Sequence, residues 1–183
     1  FFTPYEAQLF AKNIYNYTQE NLLTRPISIL SFGIGDGRRI YEKIMFCRAL
    51  GIKNLQLTGI EYDNKVNEQA RGLFPEINII TQDLLTWNNQ DSSFKELIEK
   101  VDFIDASFIF HEIYSFGGRP SPEAPIDHSL GQAKMTSLLS KCSLLLRRGG
   151  KLVIMDGYLL PNGDDIVEVK PSRFYGQAYD QLQ

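Results

Sequence analysis

Four short segments hold residues whose type and spacing suit ligand chemistry. The first is Ser31-Phe32-Gly33-Ile34-Gly35-Asp36-Gly37. Its alternating glycines let the backbone turn sharply and come close to a ligand. A helical stretch follows directly, and a helix N-terminus offers unpaired N–H groups and a positive dipole end. A dinucleotide fingerprint places its third glycine where Arg38 stands, so a nicotinamide-binding turn is disfavoured. The second segment is Glu61-Tyr62-Asp63, at the end of an apolar run. A carboxylate there can accept both hydroxyls of a ribose. The third, Thr81-Gln82-Asp83-Leu84, offers an acceptor for an exocyclic amine and an apolar side chain to pack on a ring. The fourth is His111-Glu112-Ile113-Tyr114, in which His111 is the candidate general base.

The elements that position these segments alternate regularly. Pro4 to Leu23 reads as a helix, with Phe10, Ile14 and Tyr17 at helical spacing and Arg25-Pro26 as its stop. Ile27 to Phe32 is a strand buried on both faces. Arg38 to Leu50 is a helix ended by Gly51, with Ile40, Ile44 and Cys47 on one stripe. Leu55 to Ile60 is a second strand, and Asp63 caps a helix through Arg71. Ile77 to Thr81 is a third strand. Ser93 and Glu96 have capping-box spacing before a short helix to Lys100. Val101 to Ala106 is a fourth strand. Gly117 to Asp127, with Pro120, Pro122 and Pro125, reads as a loop that places His128 at the surface. Ser129 to Leu146 is a helix ended by Arg147-Arg148-Gly149-Gly150, and Lys151 to Met155 is a fifth strand. This alternation predicts an α/β fold: a doubly wound, mostly parallel sheet with helices on both faces. Ligands bind such sheets at the C-terminal strand ends, where the strand order reverses.

Composition narrows the function classes. The chain has 183 residues, enough for one domain spanning 1–183, with 43% hydrophobic and 22% charged residues. A formal net charge of −3 gives no reason to expect a nucleic-acid partner. Arg38-Arg39 and Arg147-Arg148 read as solvated helix ends. Cys47 and Cys142 lack metal-ligand spacing, so the expectation is no metal and two buried thiols in a reducing, cytoplasmic setting. No apolar run approaches the roughly 20 residues that cross a bilayer, so no membrane partner is expected. The sequence begins with Phe1, which raises the expectation of a piece of a longer chain.

The ordered set Ile29–Gly37, Gly59–Asp63 and Thr81–Leu84 resembles class I S-adenosylmethionine-dependent methyltransferases, which are Rossmann-like. So do Val101–Ser107 with His111-Glu112-Ile113, and Leu145-Leu146-Arg147-Arg148-Gly149-Gly150-Lys151-Leu152-Val153-Ile154. The resemblance covers about residues 27 to 157 and implies a cofactor-binding core there. It implies that Gly33, Gly35 and Gly37 pass close to the carboxypropyl and ribose parts of S-adenosylmethionine. Glu61, with Tyr62 beside it, would hold the ribose hydroxyls, Asp83 and Leu84 the adenine, and Ser107 would lie near the methionine end. The family usually has an acidic residue where Ser31 stands, which bears on how the cofactor's amino group is held. The family's sheet also ends with two further strands. In 158–183 only Ile166 to Val169 reads as one, so the C-terminal strands are expected to be incomplete.

The implied activity is methyl transfer to a small-molecule acceptor, leaving S-adenosylhomocysteine. The cofactor supplies the electrophile, and the protein aligns the acceptor and excludes water. Phe1, Phe2, Tyr5, Phe108, Phe110 and Phe116 are candidate walls of an acceptor pocket, with residues 1–24 as a helical lid. Two alternatives are an aminopropyltransferase and a catalytically silent scaffold domain of a larger protein. The first wants a carboxylate soon after the fourth strand, where Ala106-Ser107-Phe108-Ile109-Phe110 is apolar.

Overall fold

A computed structural model describes residues 4–21 and 24–156 of the chain. In chain order the elements are α1 (Pro4–Asn21), β1 (Ile27–Phe32), α2 (Arg38–Ala49), β2 (Leu55–Glu61), α3 (Asn64–Leu73) and β3 (Ile77–Thr81). They continue with α4 (Ser92–Leu97), β4 (Val101–Ser107), α5 (Phe110–Gly117), α6 (His128–Leu145) and β5 (Leu146–Met155). The strands form one sheet in the order β3-β2-β1-β4-β5, and every pairing is parallel. The order reverses between β1 and β4, which opens a crevice at their C-terminal ends. This is the doubly wound sheet that the alternation predicts.

The sheet divides the core in two. On one face Ile29, Leu57, Ile79 and Phe103 pack with Phe10 and Ile14 of α1, Ile40 and Ile44 of α2, and Ala70 of α3. On the other, Leu30, Phe32, Ile60 and Ile104 pack with Phe94 of α4, Ile113 of α5, and Leu138 and Cys142 of α6. Adjacent strand residues serve opposite faces, as the period of two requires. α1, expected as a lid, is a core element: Ala7, Phe10, Ala11, Ile14 and Tyr17 are all buried.

Several local expectations need correction. The capping box at Ser93 and Glu96 does not form. Asp91 is the residue before α4, and Ser93 Oγ instead accepts from the buried Trp87 Nε1 at 3.1 Å. Arg147 and Arg148 do not end a helix, because β5 starts at Leu146, paired with Val101. An irregularity between Val101 and Phe103 absorbs the extra length before Lys151 meets Phe103. α5 has no counterpart among the elements expected from the sequence: Ile109, Phe110 and Ile113 turn inward at helical spacing just after the apolar run Ala106–Phe110. His128 is exposed, but as the first residue of α6 rather than as loop. The loop before α6 is drawn together by Asp127 N donating to Gly118 O at 2.8 Å. Asp63 caps α3 as expected, accepting from Lys65 N and Val66 N. The strand expected at Ile166 to Val169 and the tail Pro171 to Gln183 lie outside the described residues. Among the described residues no helix is long and apolar enough to cross a membrane, and no cluster of metal-ligating side chains occurs.

Candidate active site

The glycine-rich turn joins β1 to α2 at the crevice. Gly33 N donates to Ile60 O at 2.8 Å, which fastens the turn to β2. Gly33 takes φ 58°, and a Cβ there would meet Ile109 Cδ1 at 2.8 Å. Gly35 takes φ 54°, and a Cβ there would enter empty space, the open cradle above the turn. Gly37 (φ 84°) is the residue before α2. All three positive angles belong to the left-handed region that disfavours side chains.

Glu61 ends β2 and is tied to this turn. Its Oε2 accepts from Gly35 N at 3.0 Å, and Oε1 accepts from Tyr62 N at 2.9 Å and Asp63 N at 3.2 Å. Three backbone donors hold the carboxylate still while Oε2 keeps a lone pair for a ligand. Beside it lies a cavity of about 290 Å³ with mostly apolar walls. Gly33, Glu61, Tyr62, Asp83 and Leu84 line it, so the structure gathers these five positions at one place. Ile109, Glu112, Ile113 and Phe116 complete the opposite wall. Tyr62 and Phe116 are 72% and 65% exposed, which makes both available to cover a planar ligand. Asp83 Oδ1 accepts from Leu85 N at 2.9 Å, and Trp87 N donates to Asp83 O at 2.8 Å, so the turn is rigid. Ser31, Gly35, Gly37 and Ser107 are not among the cavity walls.

The tethered Glu61 carboxylate could accept a diol, and the apolar slot lined by Leu84, Tyr62 and Phe116 could take a planar ring.

His111 lies beyond the cavity in the first turn of α5. Its Nδ1 pairs with Asp156 Oδ1 at 2.6 Å, and its backbone N donates to Asp156 Oδ2 at 3.0 Å. An Nδ1–H given to the carboxylate leaves Nε2 as a lone-pair acceptor, the form a general base needs. The sequence reading named no role for Asp156, although an acid at a strand end is the same signal that identified Glu61. Tyr114, on the same helix, bonds His128 Nδ1 through its hydroxyl. Phe108 takes φ 57°, uncommon for a bulky residue, and the Arg39 guanidinium lies 4.7 Å from its ring centroid. Of the other proposed aromatic walls, Phe110 is core, Tyr5 is half exposed, and Phe1 and Phe2 lie outside the described residues.

A further cluster escaped the sequence reading. Lys43, at the middle of α2, is fully buried. Its Nζ bonds Asp105 Oδ1 at 2.8 Å, Asp105 Oδ2 at 2.7 Å and Ser107 Oγ at 2.8 Å. The signal was present: Lys43 interrupts the apolar stripe of Ile40, Ile44 and Cys47, and a lysine at a core position needs a buried partner.

Solved structures share the fold. The plantazolicin methyltransferase BpumL, solved with a triazolic desmethylPZN analog and SAH, superposes with a TM-score of 0.53 at 20% identity, over 83% of this chain and 47% of that one. The CurJ carbon methyltransferase gives 0.56 at 18% identity, over 81% and 34%. The DszA carbon methyltransferase gives 0.56 at 14% identity, over 82% and 34%. The chain thus spans about half of BpumL and a third of the other two. No protein-family model and no curated protein matches the sequence. The architecture is the Rossmann-like fold of class I methyltransferases.

Proposed function

We propose that the chain binds S-adenosylmethionine and transfers its methyl group to a small-molecule acceptor. The observation that carries this reading is the Glu61 carboxylate, bonded to Gly35 N of the glycine-rich turn and standing over the apolar cavity of Leu84. Likeness to BpumL, which was solved with SAH, supports the choice of nucleoside. When bound, the cofactor supplies an electrophilic methyl group on a sulfonium. Glu61 holds the ribose hydroxyls, Asp83 and Leu84 hold the adenine, and Tyr62 and Phe116 shield the ring from water. His111 takes the acceptor's proton on Nε2, with Asp156 fixing the ring's tautomer and steadying the resulting imidazolium. This hydrogen-bonded pair favours an enzyme over a silent scaffold, since it orients a half-exposed imidazole toward solvent-accessible space.

Calorimetric titration with S-adenosylmethionine and with NAD tests the reading. We expect micromolar binding of the first, none of the second, and a loss of roughly tenfold or more in Glu61→Ala, the value of hydrogen bonds to a charged group. A folded chain that does not bind S-adenosylmethionine overturns it.

A further inference from the structure

We propose that Asn67 is a positioning residue that fixes the Glu61 and Asp83 carboxylates at one separation, so that the site selects ligands presenting a diol and an amino group together. This rests on the proposed function, in which Glu61 holds the ribose and Asp83 the adenine amine.

Glu61 ends β2 and Thr81 ends β3, and the two stand opposite each other in the parallel register. The residues just past them, Tyr62, Gln82 and Asp83, line the cavity together with Glu61. Two hydrogen bonds to Glu61 O hold these strand ends: Gln82 N donates at 3.0 Å and Asn67 Nδ2 at 3.1 Å. Asn67 Nδ2 also donates to Thr81 Oγ1 at 3.0 Å. One amide on α3 thus spans both strand ends. Asp63 brings it there. The Asp63 side chain caps α3 through Lys65 N and Val66 N, its N donates to Glu61 Oε1, and its O accepts from Asn67 N at 2.9 Å.

The amide has one workable orientation. Glu61 O can only accept, so Nδ2 must face it, and an amide turned over would set oxygen against oxygen. Both amide protons are then used, while Oδ1 is buried with no hydrogen-bond partner among the described residues. Asn67 is 0% exposed and shares the inner side of α3 with Ala70. An apolar side chain would fill that place without burying a carbonyl that no protein donor reaches. Nor does the pairing of the strands need the amide, since Gln82 N already bonds Glu61 O. What Asn67 adds is a second restraint on Glu61 and a direct one on Thr81, two residues before Asp83. A diol and an amine joined by stiff rings meet both carboxylates at one spacing only, so holding that spacing in advance favours the joined ligand. A ligand with the diol alone gains nothing from it.

Calorimetry with S-adenosylhomocysteine, and with its analogue in which hydrogen replaces the exocyclic amino group, tests the proposal. Wild type is expected to prefer the amine by roughly tenfold, the value of a hydrogen bond to a charged group. Asn67→Leu and Asn67→Ala should both reduce that preference to about twofold or less, by weakening the adenosyl ligand alone. Affinity for the deaminated analogue should stay at the wild-type value. Urea unfolding checks that both variants fold. Equal losses for the two ligands, an unchanged preference, or variants that do not fold overturn the inference alone, because the amide then serves the fold or nothing. A wild type that binds both ligands equally removes the role of Asp83 and the inference with it. A folded wild type that binds neither ligand overturns the proposed function.

Discussion

At the scale of single residues, the proposed function separates groups that hold a ligand from groups that move a proton. Glu61, proposed to hold the ribose, is itself held by three backbone N–H groups, and His111, proposed as the base, has its Nδ1 paired with one carboxylate. The two should separate kinetically once an acceptor is found. His111→Ala is expected to lower kcat by roughly 10²-fold or more, the ordinary contribution of a general base, and to leave S-adenosylhomocysteine affinity within a factor of two. Asp156→Asn should lower kcat in the same direction by releasing the tautomer, with cofactor affinity again unchanged. Glu61→Ala should do the reverse, weakening affinity first. Steady-state kinetics beside calorimetry distinguishes these patterns. Lys43 is a different case. Its lone removal, in Lys43→Met, strands the Asp105 carboxylate inside the core. We expect it to destabilise the fold by about 3–5 kcal/mol, measured by urea unfolding.

At the scale of elements, the wall of the cavity that carries Ile109, Glu112, Ile113 and Phe116 depends on how α5 sits against α6. Gly131, in the first turns of α6, lets them approach: a Cβ there would meet Tyr114 Cδ2 at 2.9 Å and Tyr114 O at 2.9 Å. One of those contacts is backbone, which cannot swing aside. Gly131→Val should therefore push α6 from α5, lower stability by roughly 1–3 kcal/mol as overpacking does, and weaken cofactor binding with it. Thermal melting and calorimetry on the same variant check both effects. The sequence reading saw α6 from its apolar spacing but not α5. A helix of eight residues whose first turn follows an apolar strand spans too few turns for its period to stand out.

For the whole molecule, Asp102 at the start of β4 gathers the lower edge of the sheet. It accepts from Arg25 Nη1 and Nη2 at 2.6 Å each, from Ser28 N at 2.9 Å and from Tyr17 Oη at 3.0 Å, so α1, β1 and β4 meet on one carboxylate. Burial works to raise its pKa, but Arg25, the Ser28 N–H and Tyr17 together bring it below the ordinary value of 3.8. The depressed carboxyl contributes stability that is present above the unfolded value and lost as pH falls through the folded one. Acid unfolding followed by circular dichroism should show stability falling below about pH 4. Asp102→Asn should flatten that limb and lower neutral-pH stability by about 3 kcal/mol. The thiols report on the two core faces: burial pushes Cys47 and Cys142 up to about 12. Both should resist iodoacetamide at pH 8 in the native protein and react in denaturant, as mass spectrometry would show.

Local spacing was enough for much of this protein. The strand–helix order, the glycine-rich turn, the Asp63 cap, Glu61 at a strand end and the apolar stripes that bury both cysteines are set by residues a few positions apart. Their periodicity or turn chemistry is written in the chain itself. Tertiary structure decided the partnerships. Lys43 meets Asp105 across 62 positions, His111 meets Asp156 across 45, and Arg25 meets Asp102 across 77. It also turned Ser93 from a cap into the partner of Trp87, and drew Arg147 into β5. The reason is physical. A buried charge must be paired with whatever the sheet brings beside it, and the strand order β3-β2-β1-β4-β5 brings together strands that the sequence keeps far apart.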